Sequence, residues 1–279
     1  MNLVRRVIGI GGRDRGNNEE VVSQTNQDDA LCLMHLRKLF MELLHSPEPL
    51  TIKEQEIKLY QMLPLFCKVF SQAKPSTITE RFGDACQFAA HVSRLMANEI
   101  KRRAANRSKE TASKAIMEFL REDSVEQTTS GWNLLNTLNI LAAGERPVVE
   151  CMVAASLPSN MVKCLYLFYE LPQQHARGTK TSEELREEIS IVQKLYSQVL
   201  IKLCNHTATA RELVHTDELS LLFTAISCSC PLRNIEWRSC VSEILMTLTR
   251  HGLEKEVIEY IHGKLPLVVL LPCFTVYFG

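Results

Sequence analysis

The chain has 279 residues, 46% hydrophobic and 6% aromatic, and its 32 basic side chains balance 32 acidic ones. That length suffices to bury roughly three quarters of the unfolded surface in a compact fold, so neither staples nor a structural metal is required. A net charge of zero offers no general field to nucleic acid or to an acidic membrane, and either contact would need a local patch.

The start, "MNLVRRVIGIGG", has an apolar run too short for a secretory signal. Its arginines fit a mitochondrial presequence, but its glycines oppose the amphipathic helix such a leader needs. Residues 1–27 combine glycine, asparagine and charge with little to bury, so they read as a flexible lead-in, and the folded part is expected from Asp28. There "DDALCLMHLRKLFMELLHS" puts Cys32, Leu36, Leu39, Phe40 and Leu43 on one helical face and His35, Lys38, Glu42 and His45 on the other.

A capping box, Thr51 to Glu54, opens the next helix, in which Pro64 is expected to kink or end a turn. A second box, Thr77 to Glu80, predicts the start of a long helix whose stripe is Phe82, Ala85, Cys86, Ala89, Val92 and Met96, with Asp84, Gln87, His91, Arg94 and Lys101 facing water. Its basic end, "IKRRAANRSK", suits a nuclear signal or a phosphate-binding patch, but positive charge at a helix C-terminus is the simpler reading. A short helix, "ETASKAIMEFLRE", follows.

From Trp132 a loose repetition sets in: a leucine-rich helix, a break, a short helix around a Val or Leu pair, then a polar turn. Leu203 to Leu248 gives a period of 45 residues, in the range of armadillo and HEAT units; the longer spacing from Ile140 to Leu203 contains a polar insert near 172–187, read as a surface loop. Hairpin turns between alternating runs are absent. The expected fold is therefore all-α, an armadillo/HEAT-like α-solenoid forming a right-handed superhelix over residues 28–262.

Motifs with chemistry are few. "GIGG" lacks the third glycine and the preceding strand of a dinucleotide loop. Cys228, Cys230 and Cys240 with His251 offer four metal ligands, but C-x-C is not the usual two-residue zinc knuckle, and Cys240 falls on an apolar stripe with Trp237, Val241, Ile244, Leu245 and Leu248. Most of the ten cysteines stand in apolar helical settings and read as reduced core thiols. "FYEL", "WNLL" and "YSQV" have the aromatic-x-x-aliphatic form that docks on ubiquitin-like autophagy modifiers, yet sit in helices expected to be buried. No catalytic, cofactor-binding or metal-binding residue is assigned.

At "DALCLMHLRKLF", "KEQEIKLYQMLP", "HVSRLMANEIKRRAANRSKE", "LPSNMVKCLYLFYELP" and "MTLTRHGL" the chain resembles the N-terminal region of the Alfy and blue cheese family, the WD-repeat and FYVE-domain BEACH proteins, over residues 28–262. The resemblance implies an armadillo-like part of a large, non-catalytic cytoplasmic scaffold for selective autophagy of protein aggregates, a family also associated with autophagic structures and the nuclear envelope. Its partners would be proteins, with no cofactor and no nucleic acid. The family's PH-like, BEACH, WD-propeller and FYVE motifs, and with them its lipid recognition, have no counterpart in these residues. The rival reading, an armadillo-type peptide-binding transport or nuclear-import adaptor, needs a regular asparagine ladder, and Asn136, Asn139 and Asn205 are irregular. Residues 263–279 depart from the family's polar continuation into "LPLVVLLPCFTVYFG", which is broken by Pro266 and Pro272 and short of the ~20 residues of a membrane span; it reads as a divergent, truncated or alternatively spliced end.

Overall fold

The computed structural model describes residues 18–121, 130–168, 183–215, 218–227, 235–251 and 258. Among them there is helix and no strand. The helices in chain order are α1 (Asn18–Leu44), α2 (Ile52–Phe70), α3 (Pro75–Arg81), α4 (Ala85–Ala104), α5 (Lys109–Arg121), α6 (Gly131–Leu141), α7 (Arg146–Ala154), α8 (Leu157–Phe168), α9 (Glu183–Cys204), α10 (Thr207–His215), α11 (Glu218–Ser227) and α12 (Ile235–Arg250).

Helices α1 and α2 form an antiparallel pair, since Lys58 reaches Glu42 at 3.1 Å and Lys68 reaches Asp28 at 3.9 Å. The helix expected from Asp28 begins earlier, at Asn18, inside the stretch read as lead-in. The Thr51 box is complete: the Thr51 hydroxyl accepts from the Glu54 amide at 3.3 Å, and the Glu54 carboxylate accepts from the Thr51 amide at 2.8 Å. Pro64, expected to kink or end a turn, stands inside an unbroken α2. It is exposed, while Met62, Leu63, Phe66, Val69 and Phe70 fasten the opposite face to the core.

The second capping box does not form. Pro75 takes the first position of α3, so Thr77 lies inside that helix, where its amide donates to the Lys74 carbonyl at 3.0 Å. Phe82 then leaves helical geometry at φ −131° and ψ 84°, and α4 starts afresh at Ala85. Within α4 the expected stripe is buried or half-buried, but so are Phe88, Ser93, Leu95 and Glu99, because neighbours cover this helix on several sides. Five phenylalanines, Phe40, Phe66, Phe70, Phe82 and Phe88, interlock there with ring centroids 4.8 to 6.3 Å apart.

From α6 onward the packing is serial. Helices α2, α6, α9 and α12 touch in succession as one row; α4 touches α7 and α8, which in turn touch α10 and α11, as a second row. The last two units share one plan: α7 and α10 are each nine residues, followed after a short break by α8 and α11, and then by the longer α9 and α12. The leucine periodicity read from Ile140, Leu203 and Leu248 marks the carboxyl-terminal turns of α6, α9 and α12. Where α6 meets α5 a Cβ at Gly131 would collide with the Phe119 carbonyl, so the close approach requires glycine. The lead-in before residue 18, most of the polar insert at 172–187, the Trp237 side chain and the tail at 263–279 lie outside the described residues.

Candidate functional site

Helix α1 turns two apolar faces in opposite directions. Leu33, Leu36, Phe40 and Leu43 are buried against the core. At about 100° per residue, positions 31, 34, 38 and 41 fall on the opposite side, and there Leu31, Met34 and Met41 are 55%, 63% and 46% exposed. Flanked by Lys38 and Glu42, also exposed, they make a stripe of the kind that contacts another protein. The sequence reading missed it, having assigned that side of the helix to its polar residues alone. The signal was present in the i, i+3, i+10 spacing of Leu31, Met34 and Met41.

The basic end of α4 is not a free positive patch. Arg102 forks the Glu56 carboxylate of α2 at 2.7 and 2.8 Å and donates to Glu99 at 3.1 Å. Arg103 pairs with the other Glu99 oxygen and lies over the Phe119 ring of α5, 3.8 Å from its centroid. Glu99 is 1% exposed, and its first oxygen also accepts from the Tyr60 hydroxyl at 2.9 Å. The open cavity of about 300 Å³ lined by Arg102, Arg103, Arg107, Ala115, Glu118 and Phe119 therefore has its arginines largely balanced by carboxylates. Its chemistry is that of a joint between α2, α4 and α5.

Along the α6–α9–α12 row the asparagines do not form a ladder. Asn139 accepts Lys202 of α9 through both its side-chain oxygen, at 2.7 Å, and its carbonyl, at 3.2 Å, and burial holds the Lys202 amine below its ordinary pKa. Asn136 is half-buried, while Asn205 is exposed just beyond α9.

A second buried carboxylate, Glu218 at the start of α11, accepts from the Ser159 hydroxyl at 2.6 Å and from the Lys163 ammonium at 2.8 Å, both on α8. Beside it Glu212 of α10 is pushed up to about 7, by burial first and by the charge of Glu218 second, with Lys163 opposing.

Of the four residues weighed as metal ligands, Cys228 and Cys230 lie outside the described residues. Cys240 is buried in α12, and His251 donates from Nε2 to the Cys204 carbonyl at 3.0 Å, closing the end of α9. Among the described residues no group of three or more His, Cys, Asp or Glu is gathered as for a metal ion. In "WNLL" and "YSQV" the anchor pairs Trp132 with Leu135 and Tyr196 with Val199 are buried, so neither docks in this conformation; "FYEL" falls mostly outside the described residues. No single described helix is long and apolar enough to cross a membrane. Helices α7 and α8 would pass only together, bent by 68°, and their Val148, Val149, Met152, Leu157 and Met161 are core residues.

No protein-family model and no solved structure matches the chain. Among characterised proteins it is similar to WD repeat- and FYVE domain-containing protein 4 of Mus musculus, 24% identical over 213 residues, and of Homo sapiens, 26% identical over 243 residues. These alignments cover 76% and 86% of this chain but 6% and 7% of those proteins. The chain is thus similar, over most of its length, to a small part of WD repeat- and FYVE domain-containing protein 4.

Proposed function

We propose that the chain is a non-catalytic protein-interaction scaffold of the cytoplasm, and more specifically an N-terminal portion of a BEACH-type scaffold serving selective autophagy of protein aggregates. The observation that carries the scaffold reading is the α1 stripe of Leu31, Met34 and Met41, apolar and turned to solvent on the side away from the core. The similarity to WD repeat- and FYVE domain-containing proteins supports protein partners, and the stretches resembling the Alfy and blue cheese family support the autophagy assignment.

Affinity purification from cells, comparing the natural chain with the triple variant Leu31→Glu, Met34→Glu, Met41→Glu, tests the scaffold reading. The stripe lies outside the core, so the variant keeps its helicity and loses its co-purifying proteins. An unchanged set of proteins on a folded variant contradicts the reading. The autophagy assignment is tested separately by imaging: recruitment to aggregates when autophagy is blocked is expected, and a distribution indifferent to aggregates overturns it.

A further inference from the structure

Seven of the ten cysteines fall in the described residues, and they divide by accessibility. Cys164, Cys204 and Cys240 are buried, Cys164 and Cys240 beside Tyr196, and burial pushes the Cys164 thiol up to about 12 and Cys240 up to about 11. Such thiols are inert. Cys67 of α2, half-buried, rests 3.3 Å from the Thr137 hydroxyl and donates to the Asn133 carbonyl at 3.6 Å.

Cys86 and Cys151 differ from all of these. Cys86 stands in the first turn of α4 and Cys151 in the middle of α7, two helices in extensive contact. Ala85, Ala89 and Ala90 beside Cys86 are small, which lets α7 come close. Both thiols are half-buried, and after burial the nearness of Cys151, then of Glu145 at the N-cap of α7, raises the Cys86 thiol. Two neighbouring, half-buried thiols on helices in contact are the starting arrangement for a crosslink.

We propose that Cys86 and Cys151 form a reversible disulfide, with a low-molecular-weight disulfide such as oxidised glutathione as the co-reactant, and that this bond locks α4 to α7 across two successive units of the row. The thiolate of one cysteine attacks the sulfur–sulfur bond of glutathione disulfide, giving a mixed disulfide and one glutathione thiolate. The second cysteine, as thiolate, attacks the protein sulfur of that mixed disulfide and expels the second glutathione. Two protein thiols are oxidised, one small disulfide is reduced, and the two protons pass to the departing glutathiones. Burial and the neighbouring sulfur hold Cys86 above its ordinary range, so the reaction quickens as the solution is made alkaline. The bond closes the long loop from Cys86 to Cys151, the arrangement in which a crosslink restricts the unfolded chain most.

The experiment equilibrates the full chain with reduced and oxidised glutathione, blocks remaining thiols, and maps disulfide-linked peptides under non-reducing conditions. The expected result is a Cys86–Cys151 linked peptide that forms faster at alkaline pH and a thermal midpoint several degrees above that of the reduced chain. In Cys86→Ser and in Cys151→Ser the linked peptide falls to background while the remaining partner carries glutathione. Recovery of both thiols in the free form after equilibration with excess oxidised glutathione overturns the proposal, as does their pairing with other cysteines. The peptide map of the natural chain decides the matter even where a variant folds poorly.

Discussion

The two ends of the molecule solve the same packing problem with different materials. Helices α1 to α4 close around five interlocked phenylalanine rings, while α8 to α12 close around Leu200, Leu203, Leu222, Ile244 and Leu248, with the buried thiols of Cys164 and Cys240 beside Tyr196. Each region also buries a carboxylate. Glu99 is held by one tyrosine and two arginines, whereas Glu218 has Ser159, a half-exposed Lys163 and a second acid, Glu212, beside it. The first acid is fixed by permanent positive charge; the second shares a single lysine with a neighbour that titrates near neutrality. The N-terminal carboxylate is thereby neutralised within its own cluster, whereas the C-terminal one sits beside an acid whose burial raises its pKa.

The sharpest way to break the comparison is to empty the ring cluster. Phe66 is fully buried between Phe70, Phe82 and Phe88, so Phe66→Ala is expected to cost about 3 to 5 kcal/mol in urea unfolding. A loss below about 1 kcal/mol would mean that the rings are not the core of this end. Glu99→Ala comes next. It strands the Tyr60 hydroxyl and deprives Arg102 and Arg103 of their shared partner, at an expected cost of about 3 kcal/mol, the lower end for breaking a buried pair because Arg102 can turn to water. Glu218→Ala measured beside it should cost less; equality would erase the contrast between the two acids.

The proton-dependent difference is smaller and has a sign. Glu212 in the folded chain titrates near 7 instead of near 4.5, so between these values the native state holds a proton that the unfolded chain has released. Its contribution to stability is present below about 4.5 and is lost as pH rises through about 7. His91 and His206, both lowered chiefly by burial, act in the opposite sense, so the test is the difference between the natural chain and Glu212→Gln across pH 4.5 to 8. The variant is expected to lose stability less steeply as pH rises; parallel curves would remove the titrating joint. The smallest effect expected is that of Thr51→Ala, which deletes both bonds of the Thr51 hydroxyl to Glu54 and should lower stability by about 1 kcal/mol in the same unfolding assay.

Local features were legible in the sequence, and remote ones were not. The Thr51 box and the α12 stripe from Cys240 to Leu248 lie within one or two turns of helix, where spacing alone carries the information. The Thr77 box was misread because Pro75, two residues earlier, had already fixed the helix start. Glu99 gave no sign of burial, since it sits in "ANEIKRR" and its partner Tyr60 lies 39 residues upstream on another helix. The α1 stripe escaped for a different reason. That side of the helix was given to His35, Lys38, Glu42 and His45, and Leu31, Met34 and Met41 standing among them were passed over.

The central claim, that α1 presents a protein-binding face on the helical stack, is tested most directly by site-specific photo-crosslinking in cells. A photoreactive residue is placed at Met34 on the exposed stripe and, in a parallel chain, at Gln61 on the solvent side of α2. Discrete protein adducts from position 34 and none from position 61 are expected. Adducts of equal yield and identity at both positions, or none at position 34, would contradict the claim.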